Sequence, residues 1–291
     1  MSTTNTIGVG LHYDIPAATY HADPCPEPSL SSGLARVILA RSIEHAAMEH
    51  PRIGGIKRES TPAMGLGSIV HGELAGEQSD YVLGNWDNYR SKDAQAWRDG
   101  VVATGKTPVL ERDVEAARPV VTAIRTKAGA GISNDPFDAR GNNEVTAIWK
   151  EGEVYCRARY DRLLVDPNGY ADLWDWKTTQ DISPRAIERT IVKFGYHIQA
   201  AFYLRGLVAC LPAYRRRVSF NFVFVETEPP YAVRRVVLSP AFLAIGDKAC
   251  RDAINQWQSA IKRNAWTVTH ADTLELEPPA YLEGDDEISI G

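Results

Sequence analysis

The sequence predicts an α/β fold, a mixed central sheet flanked by helices and preceded by an α-rich N-terminal part. Two observations carry this expectation. Apolar residues recur at helical spacing through much of residues 31–128, whereas from Glu144 the period changes to two. After that change the order is three antiparallel strands, a pair of helices, more strands and a long final helix, with no internal repeat or low-complexity linker. Residues 31–282 are therefore expected to form one domain, with 1–30 extended over the surface and 283–291 an acidic tail.

Ser29-Leu-Ser31-Ser32 offers an N-cap to a helix over Gly33–Glu49, with Leu34, Val37, Ile38 and Ile43 as its apolar stripe. Pro51 and Gly54-Gly55 end it. A second helix starts near Met64 and carries Leu66, Ile69, Val70, His71 and Leu74; others cover Asp93–Thr104 and Arg112–Ala128. Asn134-Asp135-Pro136 and Gly141-Asn142 mark loops.

Val145–Lys150, the turn Glu151-Gly152 and Val154–Tyr160 read as a β-hairpin, continued through Val165. The turn Pro167-Asn168-Gly169 returns the chain along Tyr170–Lys177. Helices over Ser183–Phe194 and Tyr196–Cys210 follow, then strands Val218–Glu226 and Ala232–Leu238. The last helix runs from Pro240 to about Lys262.

Composition narrows the class. Of the 291 residues, 44% are hydrophobic and 24% charged, an ordinary globular balance. No apolar run approaches the ~18–20 residues of a membrane span. The first residues lack the basic start and apolar block of a secretion signal, so a cytoplasmic protein is expected. Cys25, Cys156, Cys210 and Cys250 are far apart with no C-x-x-C pair, which argues against zinc, clustered iron–sulfur and disulfide frameworks. Net charge is −5, which gives a nucleic-acid partner no support by itself. Four of the acids, however, lie in Glu283-Gly-Asp-Asp-Glu287, and bound metal would neutralise site carboxylates.

The chemistry concentrates between Asp161 and Tyr203. In Asp175-Trp176-Lys177, residues two apart share one strand face, so a carboxylate and an ammonium enter one site. The carboxylate can hold Mg²⁺, and the lysine can orient or help deprotonate an attacking water and stabilise developing negative charge. Trp176 points to the core and leaves its carbonyl as a further metal donor. A bare acid-x-Lys also occurs as a surface ion pair, but this one sits in Tyr170-Ala-Asp-Leu-Trp-Asp-Trp-Lys.

Asp161 ends the preceding strand, where Arg157, Arg159 and Asp161 share a face. Two acids at the ends of neighbouring strands can hold one or two divalent ions; the alternative is a turn Asp answering Arg159 or Arg162. Gln199 and Tyr203 are four residues apart on one helix face, able to support a phosphate or a metal-bound water. In isolation that pair reads better as an amphipathic helix. His71, among small residues in Gly65-Leu-Gly67-Ser-Ile-Val-His71-Gly72, can ligate a divalent ion, although a lone His is more often structural. Glu144 is either a further metal-site acid or an edge charge. Arg215-Arg216-Arg217 reads as a solvated loop. Arg185, Arg189 and Lys193 are better placed for DNA backbone contacts.

Together, His71, Asp161, Asp175/Lys177 and Gln199/Tyr203 resemble, in that order, the RecB-like branch of the PD-(D/E)XK nuclease superfamily. Cys156-Arg157-Ala-Arg159-Tyr-Asp161, Asp175-Trp-Lys177-Thr178-Thr179 and Tyr196-His197-Ile-Gln199-Ala-Ala-Phe202-Tyr203 are most similar to RecE-type exonucleases. Tyr20-His21, Leu30-Ser31-Ser32-Gly33-Leu34 and Thr104-Gly105-Lys106-Thr107 extend the likeness over about residues 12–282.

The resemblance implies a PD-(D/E)XK core and a Mg²⁺-dependent exonuclease, with Mn²⁺ also suited and one or two ions per site. It would degrade linear double-stranded DNA from 5′ ends and hand a 3′ single strand to an annealing protein. It also implies a homo-oligomeric ring around DNA, in which only the channel need be basic. His71, Asp161, Asp175 and the Trp176 carbonyl would ligate metal, and Lys177 would position the attacking water. Gln199 and Tyr203 would support the phosphate site; Arg157, Arg159, Thr178, Arg185 and Lys193 would contact DNA. Family members often carry this domain at the end of a longer polypeptide, and the four-cysteine cluster of the branch's iron–sulfur members is missing. A structure-specific or single-strand nuclease on the same fold is the nearest rival, and a catalytically silent DNA-binding module the next.

Overall fold

The computed structural model describes residues 6–56, 62–76, 81–104, 106–131, 135–167 and 169–267, with 275 and 277. The expected acidic tail 283–291 lies outside the described residues, as do 278–282, Gly105, Asn134 and Asn168.

The N-terminal part contains β1 (Gly10–His12), α1 (Ala17–His21), β2 (Leu30–Ser31), α2 (Ser32–Ala40), α3 (Ile43–Glu49) and α4 (Pro62–Ala75). Next come β3 (Tyr81–Gly84), α5 (Lys92–Ala103), β4 (Thr107–Leu110) and α6 (Glu111–Lys127). The sheet-forming part follows as β5 (Asn142–Glu151), β6 (Val154–Asp166), β7 (Tyr170–Thr179), α7 (Pro184–Lys193), α8 (Tyr196–Cys210), β8 (Val218–Glu226), β9 (Val233–Val236) and α9 (Pro240–Arg263).

Two expectations need correction. The helix over Gly33–Glu49 is two helices, because Ser42 leaves the helical conformation and its hydroxyl caps α3 by accepting from His45 N–H. Residues 6–30 do not lie over the surface: β1 pairs with β5, and Ile15, Ala17, Tyr20, Asp23, Cys25 and Ser29 are buried. What holds this segment is a buried polar cluster. Asp23 accepts from Ser29 Oγ at 2.7 Å and pairs with His50 Nε2 at 3.1 Å and Arg157 Nη1 at 3.2 Å. Burying these charges is tolerated because each finds partners.

The main sheet runs β1-β5-β6-β7-β8-β9, with β2 also pairing β6. It is mostly antiparallel; β7–β8 and β2–β6 are its parallel contacts. The β5–β6 hairpin turns at Gly152, whose φ of +60° suits glycine. A mixed sheet needs cover on both faces. One face packs its Val145, Trp149, Tyr160, Leu173 and Phe222 against α2, α3, α8 and α9. The other packs Trp174, Trp176, Val223 and Val225 against α4 and α6. The sheet is thus the middle of three layers, and β3 pairs with β4 apart from it.

The ladder has a fork at β6. Pairing with β5 passes from Asn143–Arg162 to Val145–Tyr160 and skips Glu144 and Asp161. Pairing with β7 ends at Arg162–Trp174, and β2 takes over the same edge at Cys156 and Arg157. Asp161 therefore belongs to neither ladder, and β6 and β7 part there, in the middle of β6 and not at its end as expected. Among the described residues no helix is long and apolar enough to cross a membrane.

Candidate active site

The fork brings one helix from each outer layer to the point where β6 and β7 part. From α4, His71 places Nδ1 at 3.2 Å from Asp161 Oδ2 and Nε2 at 3.0 Å from the Trp176 carbonyl oxygen. The other link is backbone: Trp176 N–H, released from the β6 ladder, donates to Asp161 Oδ2 at 2.9 Å. Trp176 itself is buried on the α4–α6 side and stacks on Phe137 at 5.5 Å. Its side chain anchors the strand while its carbonyl faces the site.

Glu144 completes a cluster. Ligand atoms of His71, Glu144 and Asp161 all lie within 4.8 Å of one another. Glu144 reaches this position with φ at +53°, an unfavourable backbone for a residue with a Cβ. Arg159 holds it there, donating Nε–H to Glu144 Oε2 and Nη1–H to the Ile15 carbonyl at 2.6 Å.

On the α8 side of the fork, Asp175 is 2% exposed and pairs its Oδ1 with Lys177 Nζ. Gln199 donates Nε2–H to Asp175 Oδ2 at 2.7 Å. Tyr203, one turn further on, interacts with the Gln199 side chain and packs on Tyr160 and Phe220. Lys177 Nζ sits 4.8 Å from the centre of the Tyr196 ring. Tyr196 begins α8, three residues before Gln199, so one helical face serves both the acid and the lysine.

The electrostatics follow from this crowding. Burial alone would lower the His71 pKa, but the Asp161 carboxylate beside it raises it to about 9. Burial raises Asp161, yet the His71 charge and hydrogen bond, Lys177 and the Trp176 N–H together bring it below the usual carboxylate range. Glu144 is pushed up by burial and then by the Asp161 charge. Burial also raises Asp175, against the pull of Lys177. For Lys177, the charges of Asp175 and Asp161 outweigh burial, so it stays an ammonium. In that form it can orient a water and stabilise developing negative charge.

This donor set fits a divalent cation. One imidazole, two crowded carboxylates and an adjacent carbonyl oxygen are ligands that Mg²⁺ and Mn²⁺ accept. A cation would take the place of the His71 proton and relieve the repulsion between Glu144 and Asp161. Such an ion lowers the pKa of a bound water and polarises a phosphoryl oxygen. Asp175 borders this trio without belonging to it, because its two oxygens face Lys177 and Gln199.

The residues predicted as catalytic or metal-binding are therefore brought together, whereas those predicted to contact DNA divide. Arg157 and Arg159, expected to face DNA, are buried and fasten the N-terminal segment. Arg157 donates to the Ser29 carbonyl at 3.0 Å and to Ser29 Oγ, and Arg159 to Glu144 and the Ile15 carbonyl. Neither can reach a phosphate without giving up those bonds. Thr178 continues β7 beyond Lys177 and lies against Gly67 of α4, partly exposed. Arg185 and Lys193 are exposed on α7. Sequence reading assigned no role to Tyr196; its i to i+3 spacing from Gln199 was the available signal.

An acid at a strand fork, a D-x-K strand beside it and a glutamine-bearing helix behind both define the PD-(D/E)XK type of α/β fold. The chain belongs to the family described as a PDDEXK-like domain of unknown function (DUF3799), matched over residues 39–276. Among solved structures it is similar to a candidate exonuclease from Eubacterium rectale, with a TM-score of 0.57 and 13% identity over 94% of this chain and 96% of that one. That likeness concerns the fold. A second structure, of SSO0001, covers 75% of this chain and 86% of its own at 12% identity; its TM-score of 0.31 carries no weight. No curated protein matches the chain.

Proposed function

We propose that this protein is a divalent-metal-dependent exodeoxyribonuclease acting on linear double-stranded DNA. The carrying observation is the His71–Glu144–Asp161 cluster next to the Asp175–Lys177 pair. Mg²⁺ is the proposed ion, with Mn²⁺ able to replace it. His71, Glu144, Asp161 and the Trp176 carbonyl would hold it, and Asp175 would complete the set by turning an oxygen from Lys177 towards it. Lys177 then orients the attacking water and offsets the charge that builds on the phosphoryl oxygens. Gln199 and Tyr203 fix Asp175 and so act behind the reacting atoms.

Exonuclease action with 5′ to 3′ polarity is supported by the resemblance of these motifs to RecE-type enzymes. The fold neighbour is described as a candidate exonuclease, which bears on exonuclease action and not on polarity. The 3′ single strands produced would serve recombination by strand annealing in the cytoplasm, through a single-strand annealing protein. A homo-oligomeric ring would reconcile a net charge of −5 with a polyanionic substrate, since only the inner surface has to be cationic.

The test is digestion of end-labelled linear duplex and closed circular DNA, with Mg²⁺ or EDTA, by the wild type and Lys177→Ala. Metal-dependent loss of linear duplex from 5′ ends, absent in the variant, is expected. Cleavage of circles would show an endonuclease instead, and cleavage of neither would leave a DNA-binding module.

A further inference from the structure

Phe194 is a large aromatic side chain left 49% exposed next to the reaction centre. It occupies the turn between α7 and α8, and its ring stacks on Tyr196 at 5.7 Å with 27° between planes. Tyr196 in turn lies over Lys177 Nζ. Two successive contacts thus connect a half-exposed aromatic ring to the lysine of the D-x-K strand.

The turn that presents Phe194 is rigidly made. Arg36 donates Nη1–H to the Phe194 carbonyl at 2.7 Å, and Gly195 follows at φ +64°. A Cβ on Gly195 would come within 2.9 Å of Arg36 Cδ, so the tight turn and the arginine clamp depend on each other.

The surroundings are cationic in a protein of net charge −5. Lys193 Nζ lies 5.4 Å from the Phe194 ring centre. α7 carries Arg185, Arg189 and Lys193 against a single acid, Glu188. Val192, 57% exposed, adds apolar surface beside the ring. A π-face with phosphate-binding charges around it is what a nucleic-acid strand needs, a stacking surface for a base and cations for its backbone.

We propose that Phe194 is a nucleobase-stacking platform that seats a base of the DNA strand next to the scissile phosphate. The occupant is an unpaired or terminal base, because bases inside a duplex have no free face. Lys193 and Arg189 hold the adjoining phosphates, while Arg36 keeps the turn through the Phe194 carbonyl. Stacking fixes where the strand stops relative to Lys177, so Phe194 sets the position of cleavage while taking no part in the chemistry. The inference rests on the nuclease reading given above and extends it to a particular contact.

The experiment uses the full chain in EDTA, so that DNA is bound and not cut. The probe is a duplex carrying 2-aminopurine in a short 5′ single-stranded overhang, whose fluorescence is quenched when the base stacks. Wild type and Phe194→Tyr are expected to quench it. Phe194→Ala and Phe194→Leu should lose the quench and bind about five- to a hundredfold more weakly. The slope of affinity against salt should stay the same in these variants and fall in Lys193→Ala, since only the lysine releases counterions. Equal quenching by wild type and Phe194→Ala, or by Phe194→Leu, overturns the platform while DNA binding itself still stands. No DNA binding by the wild type, either in EDTA or with Ca²⁺ supplied in place of Mg²⁺ to neutralise the site carboxylates, would overturn the nuclease reading together with it.

Discussion

Gln199 and Asp175 are joined by a 2.7 Å hydrogen bond from the amide Nε2 to Oδ2, within a site where Gln199 is only 6% exposed. The second helix after the D-x-K strand, α8, therefore holds that strand's acid in one orientation. Replacing Gln199 by Ala should lower kcat by about 10–100-fold, the usual cost of losing a partner that orients a ligand. The circular dichroism spectrum should stay unchanged. Wild-type turnover in Gln199→Ala would show that Asp175 needs no such support.

Arg159 stands in the same relation to Glu144. Arg159→Met is expected to weaken Mn²⁺ binding, followed by calorimetry, by about 10–100-fold. In a Glu144→Gln background the same change should cost little more, because the arginine acts through that carboxylate. Additive losses in the double variant would place the role of Arg159 elsewhere, in its bond to the Ile15 carbonyl.

Lys177 separates binding from turnover. As it is charged and touches Asp175, Lys177→Ala should still bind Mn²⁺ but lose about 10²–10³ in single-turnover rate. A variant that has lost metal binding as well would mean that the lysine mainly shapes the site.

Asp23 gives a pH-dependent contribution to stability. Burial alone would raise its pKa, but hydrogen bonds from His50 and Ser29 and the Arg157 charge hold it at about 2, below the ordinary 3.8. A carboxylate depressed in the folded state stabilises above its unfolded pKa and loses that contribution as pH falls through the folded one. The ionised form should contribute about 2 kcal/mol above pH ~4, and that amount should disappear between pH ~4 and ~2. Urea midpoints for wild type and Asp23→Asn across this range test it: the variant should show a flatter profile. Parallel profiles would assign the acid sensitivity to other groups.

How far the sequence could be read depended on where the relevant forces lie. Strands Val218–Glu226 and Tyr170–Thr179 and the helix ending at Arg263 carry their pattern locally, and structure and reading agree closely there. Gly10–His12 and Leu30–Ser31 are strands only because β5 and β6 offer partners, a tertiary cause that a Pro- and Asp-rich segment does not announce. The site shows the same division. Asp161, Asp175 and Lys177 follow from strand alternation. The partners of Arg157 and Arg159 lie 128 and 144 residues away at Ser29 and Ile15, and nothing local to an R-x-R pattern tells a buried clamp from a phosphate contact. Glu144 looked like either an edge charge or a ligand because its left-handed backbone, which turns it inward, leaves no mark in composition.

The fork at Asp161 also bears on how the proposed activity can be lost. A sheet gains by closing its ladder, and here the gain is forgone at one residue pair so that a carbonyl and two acids stay available. Substitutions that let Glu144 and Asp161 pair regularly would make a tighter sheet and a silent protein, with every acid and the lysine still present. Inactive relatives of this chain are therefore to be sought among those whose hairpin is more regular, as well as among those that have lost Asp175 or Lys177.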